Sequence, residues 1–165
     1  MPKVTEFGLK HPVSESLERF APDTGWGRWL RQIEVEATSG QVLMTGRDES
    51  PLLVVDRVGE GRVALLASDH AWLWDRGYEG GGPQAELLRR VAHWSMKEPD
   101  LEEEALLAEP MESGLLVTRR SLTEGPLAPL EITTPNGKQL TMALQPVAPG
   151  RYEAEIDSED LGLYR

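Results

Sequence analysis

Residues 58–97 constrain the fold of this 165-residue chain more than any other stretch. The stretch begins with the uninterrupted apolar run 63–67, which is typical of a strand covered on both faces. Apolar side chains then recur at three- and four-residue spacing between Pro83 and Lys97, and Pro99 ends the pattern. The stretch therefore predicts a buried strand followed by a helix over 83–97, which together make half of an α/β unit.

Alternating or apolar runs before the helix predict a small sheet. Strands are expected over residues 33–35, 41–45, 51–58 and 61–68. The last two are joined by the tight turn Gly59-Glu60, and short turns of this kind favour antiparallel neighbours. We expect a mixed sheet of about four strands with the 83–97 helix on one face. The proline-containing segment 1–25 is expected to be weakly structured, with one short helix over 14–20 that Ser14 caps.

Composition excludes several functional classes. The net charge of -11 argues against binding nucleic acid through its phosphates and against anionic lipid surfaces. The absence of cysteine excludes disulfides and a thiolate nucleophile. This piece contains no apolar run long enough to span a bilayer and no basic-then-apolar N-terminus of the kind found in signal peptides, so we expect no direct membrane insertion by this segment. These features leave the cytoplasm and the periplasm equally open.

The charge is unevenly distributed along the chain. Residues 1–97 carry 12 basic and 14 acidic residues, whereas residues 98–165 carry 5 basic and 14 acidic residues. This shift predicts a first domain over 1–97. The segment 98–113 contains seven acidic and no basic residues, and its apolar residues fall at helical spacing. We interpret it as an acidic connector, either a short helix or a solvated linker.

Residues 114–165 have the pattern of an all-β domain. The pair Asn136-Gly137 suits a two-residue type I′ turn and so indicates a hairpin. The alternating segments on either side of it predict strands over 130–134 and 140–144, and further strands are expected over 152–156 and from Leu161. The strand spacing is that of an immunoglobulin-like β-sandwich, but such a sandwich needs about 100 residues. We therefore expect a partial sandwich that covers its exposed edges through a protein partner or through self-association, such as a homodimer through sheet edges.

Asp69 and His70 are the strongest candidates for chemistry, because they follow the carboxyl end of the predicted buried strand. With Glu79 they could serve in acid–base catalysis. However, a histidine base needs a nucleophile, and the chain has neither cysteine nor a Gly-x-Ser-x-Gly elbow. The alternative is structural: Asp69 caps the following turn and His70 makes a local hydrogen bond.

Two further features could bind a ligand. Gly80, Gly81 and Gly82 precede a helix, as in a phosphate cradle, but they lack a P-loop ending and the acidic Glu79 and Glu86 flank them. A purely conformational role is the alternative. The first half also contains five tryptophans, Trp26, Trp29, Trp72, Trp74 and Trp94. Trp72 and Trp74 could line a ligand groove, or the tryptophans could pack in the core. The three histidines are too scattered to predict a metal site, and no cofactor is expected.

Several of these segments together resemble a known family. The matching residues are His11-Pro12-Val13, Trp26-Gly27-Arg28-Trp29, the run from Pro51 to His70, Trp72-Leu73-Trp74 through Pro83, His93-Trp94 and Lys97-Glu98-Pro99. Over residues 8–107 the chain resembles the C-terminal part of the class I glutamine amidotransferase-like domain of large bacterial membrane proteins of unknown function. The resemblance implies a flavodoxin-like α/β domain without its N-terminal strands and helices, in a parent protein anchored in a membrane. It places His70 near the position of the catalytic histidine, whereas the half that would carry the cysteine is absent.

Three functional hypotheses follow. The first is a non-catalytic interaction or structural module cut from a larger envelope-associated protein. The second is a hydrolase or amidotransferase-like enzyme, which requires Asp69, His70 and Glu79 to converge in one pocket beside the glycines. The third is a ligand-binding module with a groove lined by tryptophan, which requires Trp72 and Trp74 to be exposed.

Overall fold

The computed structural model describes residues 1–20, 25–123, 125, 127–157 and 161–165. Residues 21–24 of the segment expected to be weakly structured, and residues 124, 126 and 158–160 of the expected sandwich, lie outside this description. The chain divides into two compact units, Met1–Glu102 and Glu103–Arg165. The first unit contains helices and antiparallel strands, and the regular elements described in the second unit are all strands.

The first unit contains a four-stranded sheet. Its strands are β1 (Lys3–Val4), β2 (Gln41–Thr45), β3 (Pro51–Val58) and β4 (Gly61–Leu66), in the order β1-β2-β3-β4. The strands predicted over 41–45 and 51–58 are confirmed, as are the tight turn and antiparallel pairing that follow them. The expectation of a mixed sheet is wrong, because every pair of neighbouring strands in it is antiparallel.

The fourth strand is β1 and not the strand predicted over 33–35. Residues 26–36 form no regular element; the amide of Gln32 donates to the carbonyls of Ser50 and Pro51, and Ile33 N–H bonds to Ala67 O at 2.8 Å. Bonds from the Gln32 side chain and from the Ile33 backbone therefore hold this segment where alternation alone suggested a strand. The N-terminal residues are more regular than expected, since Thr5 caps the helix α1 (Glu6–Lys10) through a bond from Gly8 N–H.

Two local predictions near the N-terminus and in β4 are wrong. In place of a helix over 14–20 the chain makes a 3-10 turn, Leu17–Phe20, and the Ser14 hydroxyl donates to Gly8 O instead of capping. The run 63–67 is not covered on both faces: Val63 and Leu65 are 52% and 49% exposed, whereas the alternate residues of β4 pack inward. Covering elements lie on only one side of β4. The strand with both faces buried is β3.

The predicted helix is present as α3 (Gln84–Ser95), preceded by the short helix α2 (Trp72–Asp75). The helix α3 contacts β4, and its inward side chains Leu87 and Trp94 are each 1% exposed. For Trp94, the alternative that the tryptophans pack in the core is therefore confirmed. The first core consists of Val13, Leu17, Leu43, Met44, Leu52, Leu53, Val55, Trp74, Leu87, Trp94 and Leu101. No helix within the described ranges is long and apolar enough to cross a membrane.

The described residues of the second unit contain six strands. They are β5 (Ala105–Met111), β6 (Gly114–Arg120), β7 (Leu130–Thr133), β8 (Gln139–Met142), β9 (Gln145–Ala148) and β10 (Arg151–Asp157). One antiparallel sheet has the order β5-β6-β10-β9, and β7 and β8 form a separate hairpin. Val117, Ile132 and Ile156 form the small core where side chains of the sheet and the hairpin meet. Near the C-terminus, Arg165 exchanges both backbone hydrogen bonds with Thr133.

Two predictions for this half need correction. The acidic segment 98–113 is neither a helix nor a linker throughout, because residues Ala105–Met111 form β5 and pair along their whole length with β6. Its apolar residues fit a strand as well as a helix, and pairing with a complementary strand decides between the two. The Asn136-Gly137 turn lies in a hairpin as predicted, but Thr134 N–H bonds Lys138 O around a three-residue loop. Gly137 takes a φ of 84° there, and Asn136 does not have the positive φ that a type I′ turn requires.

Candidate functional site

Asp69 and His70 follow β4 and lie on the surface of the first unit. Their backbone is fixed by Ser68, whose hydroxyl donates to Arg31 O and accepts the N–H of His70. The Asp69 carboxylate is 3.7 Å from His70 Nε2 and 3.8 Å from an Arg31 nitrogen, and both distances are too long for a hydrogen bond. The pair therefore lacks the tight carboxylate–imidazole contact that orients a histidine base.

The structural alternative for these two residues is only partly right. The helix α2 begins after Ala71 with no side-chain cap, so Asp69 does not cap it. His70 bonds locally through its backbone N–H, but its side-chain Nδ1 is buried and has no hydrogen-bond partner within the described residues. The imidazole packs against Trp72 with its ring centroid 6.2 Å away.

Glu79 does not join Asp69 and His70. Its carboxylate pairs with Arg28 Nε at 2.9 Å. The pKa of Arg28 is raised above its usual value by a hydrogen bond with Tyr78 and by the negative charge of Glu79. In the part of the chain that the structure describes, no hydrogen bond or ion pair links Glu79 to Asp69 or His70, so the three predicted acid–base residues do not form one catalytic group.

The glycine run makes room for an indole. A Cβ on Gly82 would lie 2.4 Å from the ring of Trp74, and Gly81 O accepts a hydrogen bond from Gly27 N–H at 2.7 Å. The N–H groups of Gly80 and Gly81 are already bonded to the carbonyls of Gly77 and Tyr78. These two donors are therefore used inside the protein and are not available to cradle a phosphate, which favours the conformational interpretation.

Three tryptophans form one cluster beside the glycines. The ring of Trp74 lies 5.3 Å from that of Trp26 and 4.8 Å from that of Trp29, and its indole N–H donates to Gly27 O at 2.6 Å. Trp74 is only 3% exposed, whereas Trp72 is 52% exposed. A groove lined by both Trp72 and Trp74 is therefore absent, and Trp72 is the one member of the predicted pair that is available to a ligand.

The structure also shows a cavity that the sequence interpretation missed. It has a volume of about 620 Å³, within the size range of small-molecule sites. Its lining includes Arg28, Trp29, Arg31, Gln32 and Arg47. Each arginine lies within 4 Å of a carboxylate, namely that of Glu79, Asp69 or Asp48. The arginines are exposed and their charges are balanced, so the cavity has only a weak preference for anions. The arginines that follow Trp26, up to Arg31, are the sequence feature that could have indicated this cavity.

The histidines do not come together. His11 is buried against Trp94, with ring centroids 5.7 Å apart, and His93 Nδ1 lies 2.7 Å from a carboxylate oxygen of Glu98. Within the described ranges, no group of three or more histidine, aspartate or glutamate side chains is arranged to hold a metal ion.

Comparison of this chain with protein-family models, with curated proteins and with solved structures finds no match.

Proposed function

We propose that this chain is a non-catalytic interaction or structural module of a larger, envelope-associated bacterial protein. The observation that carries the proposal is the separation of the candidate acid–base residues. Glu79 forms an ion pair with Arg28, and the side chains of Asp69 and His70 are not hydrogen-bonded to each other. Since the chain also has no cysteine, it offers neither a nucleophile nor an oriented base for amidotransferase chemistry.

The proposal includes a finer assignment of the two units. The first would be the C-terminal part of a flavodoxin-like, glutamine amidotransferase-like domain, and the second a partial immunoglobulin-like sandwich. Support for the first comes from the sequence pattern of residues 8–107 and from a helix packed on the sheet. Because the described sheet is antiparallel, the proposal places the parallel strands of such a domain in a preceding segment of the parent protein. Support for the second is the antiparallel sheet with a hairpin sharing its core.

We propose that the parent protein is membrane-anchored and that this part lies in the cytoplasm or the periplasm. The partners would be proteins, either another chain or a second copy of this one. The net charge of -11 supports the exclusion of nucleic acid from this set, because phosphates would be repelled.

A ligand-binding module is the second candidate. It is favoured by one observation, the 620 Å³ cavity lined by three arginines in the chain's first unit. The cavity would accept a small ligand with a carboxylate or phosphate group. Such a ligand would have to displace three existing ion pairs, which weakens this candidate relative to the first.

The enzyme alternative has a direct test. The purified chain is incubated with glutamine and ammonia release is measured beside two variants, His70→Ala and the matched control His93→Ala. We expect no release above that of buffer for any of the three proteins. Turnover that His70→Ala abolishes and His93→Ala preserves would overturn the non-catalytic proposal.

A further inference from the structure

The loop between β7 and β8 contains the only asparagine of the chain, Asn136. Gly137 follows it, and both residues are exposed at the tip of the three-residue loop that Thr134 and Lys138 close. Because glycine has no Cβ, the backbone nitrogen of Gly137 can approach the side-chain amide carbon of Asn136 without steric hindrance. The loop therefore places an electrophilic carbon next to a nucleophilic nitrogen within one chain.

Thr134 holds both of these groups. Its hydroxyl donates to Asn136 Oδ1 at 2.5 Å, and its backbone carbonyl accepts the N–H of Gly137 at 2.9 Å. The same hydroxyl oxygen accepts the N–H of Lys138 at 3.1 Å. Threonine and asparagine side chains that bond to nearby backbone groups fix the conformation of a turn. In the closed loop the proton on the Gly137 nitrogen is therefore engaged, and the direction of the Asn136 carboxamide is fixed.

The tip of the loop has room to move. A Cβ built on Gly137 would meet no atom of a non-neighbouring residue within 4 Å. Thr134 is 7% exposed, so the bonds that close the loop lie at its buried base, whereas Asn136 and Gly137 face solvent. Local opening of an exposed loop requires less free energy than unfolding of a whole unit. The loop can therefore release Asn136 while the rest of the second unit stays folded.

We propose that Asn136 is a site of self-modification. The backbone nitrogen of Gly137 attacks Cγ of Asn136, a new N–Cγ bond replaces the Cγ–Nδ2 bond, and the side-chain nitrogen leaves as ammonia. The attacking nitrogen loses its proton to solvent, and the departing nitrogen takes one from solvent. Water then opens the resulting succinimide ring at either of its two carbonyl carbons. One product is aspartate, and the other is isoaspartate, in which the main chain runs through Cγ; the reaction consumes only water.

Opening of the loop sets the rate of this reaction. The Gly137 nitrogen has to lose its proton before it attacks, and its hydrogen bond to Thr134 O opposes that loss. The reaction therefore proceeds from conformations in which Thr134 has released the loop. Conversion adds one negative charge, and isoaspartate lengthens the backbone between β7 and β8, whose side chains Ile132 and Leu140 belong to or pack on the second core. Product at residue 136 thus records how often this hairpin loop opens.

The first test compares the purified chain with a synthetic peptide of residues 133–139 during incubation at neutral pH. Because Asn136 is the only asparagine, peptide mapping of an amide-to-acid mass change to residue 136 identifies the site. We expect aspartate and isoaspartate there, formed about 25-fold more slowly in the protein, since two ordinary hydrogen bonds each shift an opening equilibrium about fivefold. Absence of product in the protein after ten half-lives of the peptide overturns the site. Equal rates in protein and peptide overturn control by loop opening.

The second test removes the hydroxyl that holds the loop. Thr134→Val loses the bond to Asn136 Oδ1 and should accelerate the conversion about fivefold. Thr133→Val is the matched control, because the Thr133 hydroxyl makes no hydrogen bond within the described residues, and its rate should equal that of the wild type. Circular dichroism confirms that both variants fold. Equal acceleration by both variants, or no acceleration by Thr134→Val, overturns the role of the Thr134 bonds.

Ammonia from this reaction differs from ammonia made by an amidotransferase. Conversion of Asn136 releases at most one ammonia per chain and does so without glutamine, since the chain has one asparagine. Enzymatic turnover would require added glutamine and would exceed one ammonia per chain. Failure of this inference is therefore distinguishable from failure of the non-catalytic proposal.

Discussion

Replacement of Trp94 by alanine should unfold or strongly destabilise the first unit. Trp94 is 1% exposed and lies in the core on the inner face of α3. The Arg62 guanidinium lies 5.1 Å from the centre of its ring, and His11 packs against its edge. Truncation would therefore leave a cavity, remove a cation–π contact and expose the side of a buried histidine.

The expected magnitude follows from these contacts. Truncating a buried tryptophan costs about 3–5 kcal/mol. A cation–π contact contributes about 2 kcal/mol when its cation is desolvated, as the buried Arg62 side chain is, so we expect the upper half of that range, about 4–5 kcal/mol. A domain of this size loses about 4–8 °C of melting temperature per kcal/mol, which gives a decrease of at least about 16 °C.

The assay is scanning calorimetry of the wild type, Trp94→Ala and the control Trp72→Ala. Trp72 is half exposed, so its truncation removes a similar side chain without opening the core, and its melting temperature should stay close to that of the wild type. If both variants melt within a couple of degrees of the wild type, the placement of Trp94 in the core is wrong.

Two further predictions concern the glycine run and α3. Gly82→Ala should destabilise the first unit by about 1–3 kcal/mol, because its Cβ would overlap the buried Trp74 ring. The control Gly77→Ala meets open space and should cost only about 1 kcal/mol of backbone strain. Equal losses of unfolding free energy for the two variants in urea would contradict the packing argument. Hydrogen bonds from Arg89 lower the pKa of Glu86 from 4.5 to about 2, assisted by Arg90 and opposed by burial. Since the folded-state pKa is depressed, this stabilisation is complete above pH 4.5 and is lost as the pH falls toward 2. The stability difference between the wild type and Glu86→Gln should therefore shrink over that interval in acid titrations of unfolding, and a difference independent of pH would contradict it.

Apolar spacing and turn residues predicted the elements that depend mainly on contacts between residues close in sequence. The helix α3 has a long apolar period and a proline at its start, and β3 and β4 are joined by a two-residue glycine turn, so their positions follow from spacing alone. The strand β5 was missed because Leu106 and Ala108 fit either period. Pairing with β6 makes it a strand, and that pairing is a tertiary interaction.

The candidate site was less predictable for the same reason. Position in the sequence places Asp69, His70 and Glu79 within eleven residues, but side-chain direction decides which groups meet. Arg28 lies far from Glu79 in the sequence and still forms an ion pair with its carboxylate. In sequence, the glycine run is compatible both with an anion-binding site and with a purely conformational role. In the structure, the Trp74 ring fills the space that a Cβ on Gly82 would need. Residue types alone do not distinguish these outcomes.

The positions of the tryptophans give the two units different optical properties. All five indoles lie within Met1–Glu102, whereas the second unit contains tyrosine but no tryptophan. Indole emission therefore reports the first unit selectively, while far-ultraviolet dichroism reports the backbone of both. The rings of Trp26, Trp29 and Trp74 are close enough for their excited states to couple, which should give a near-ultraviolet dichroic band that disappears when residues 26–29 detach from the glycine run. Loosening of that single contact can thus be followed by spectroscopy while the rest of the chain remains folded.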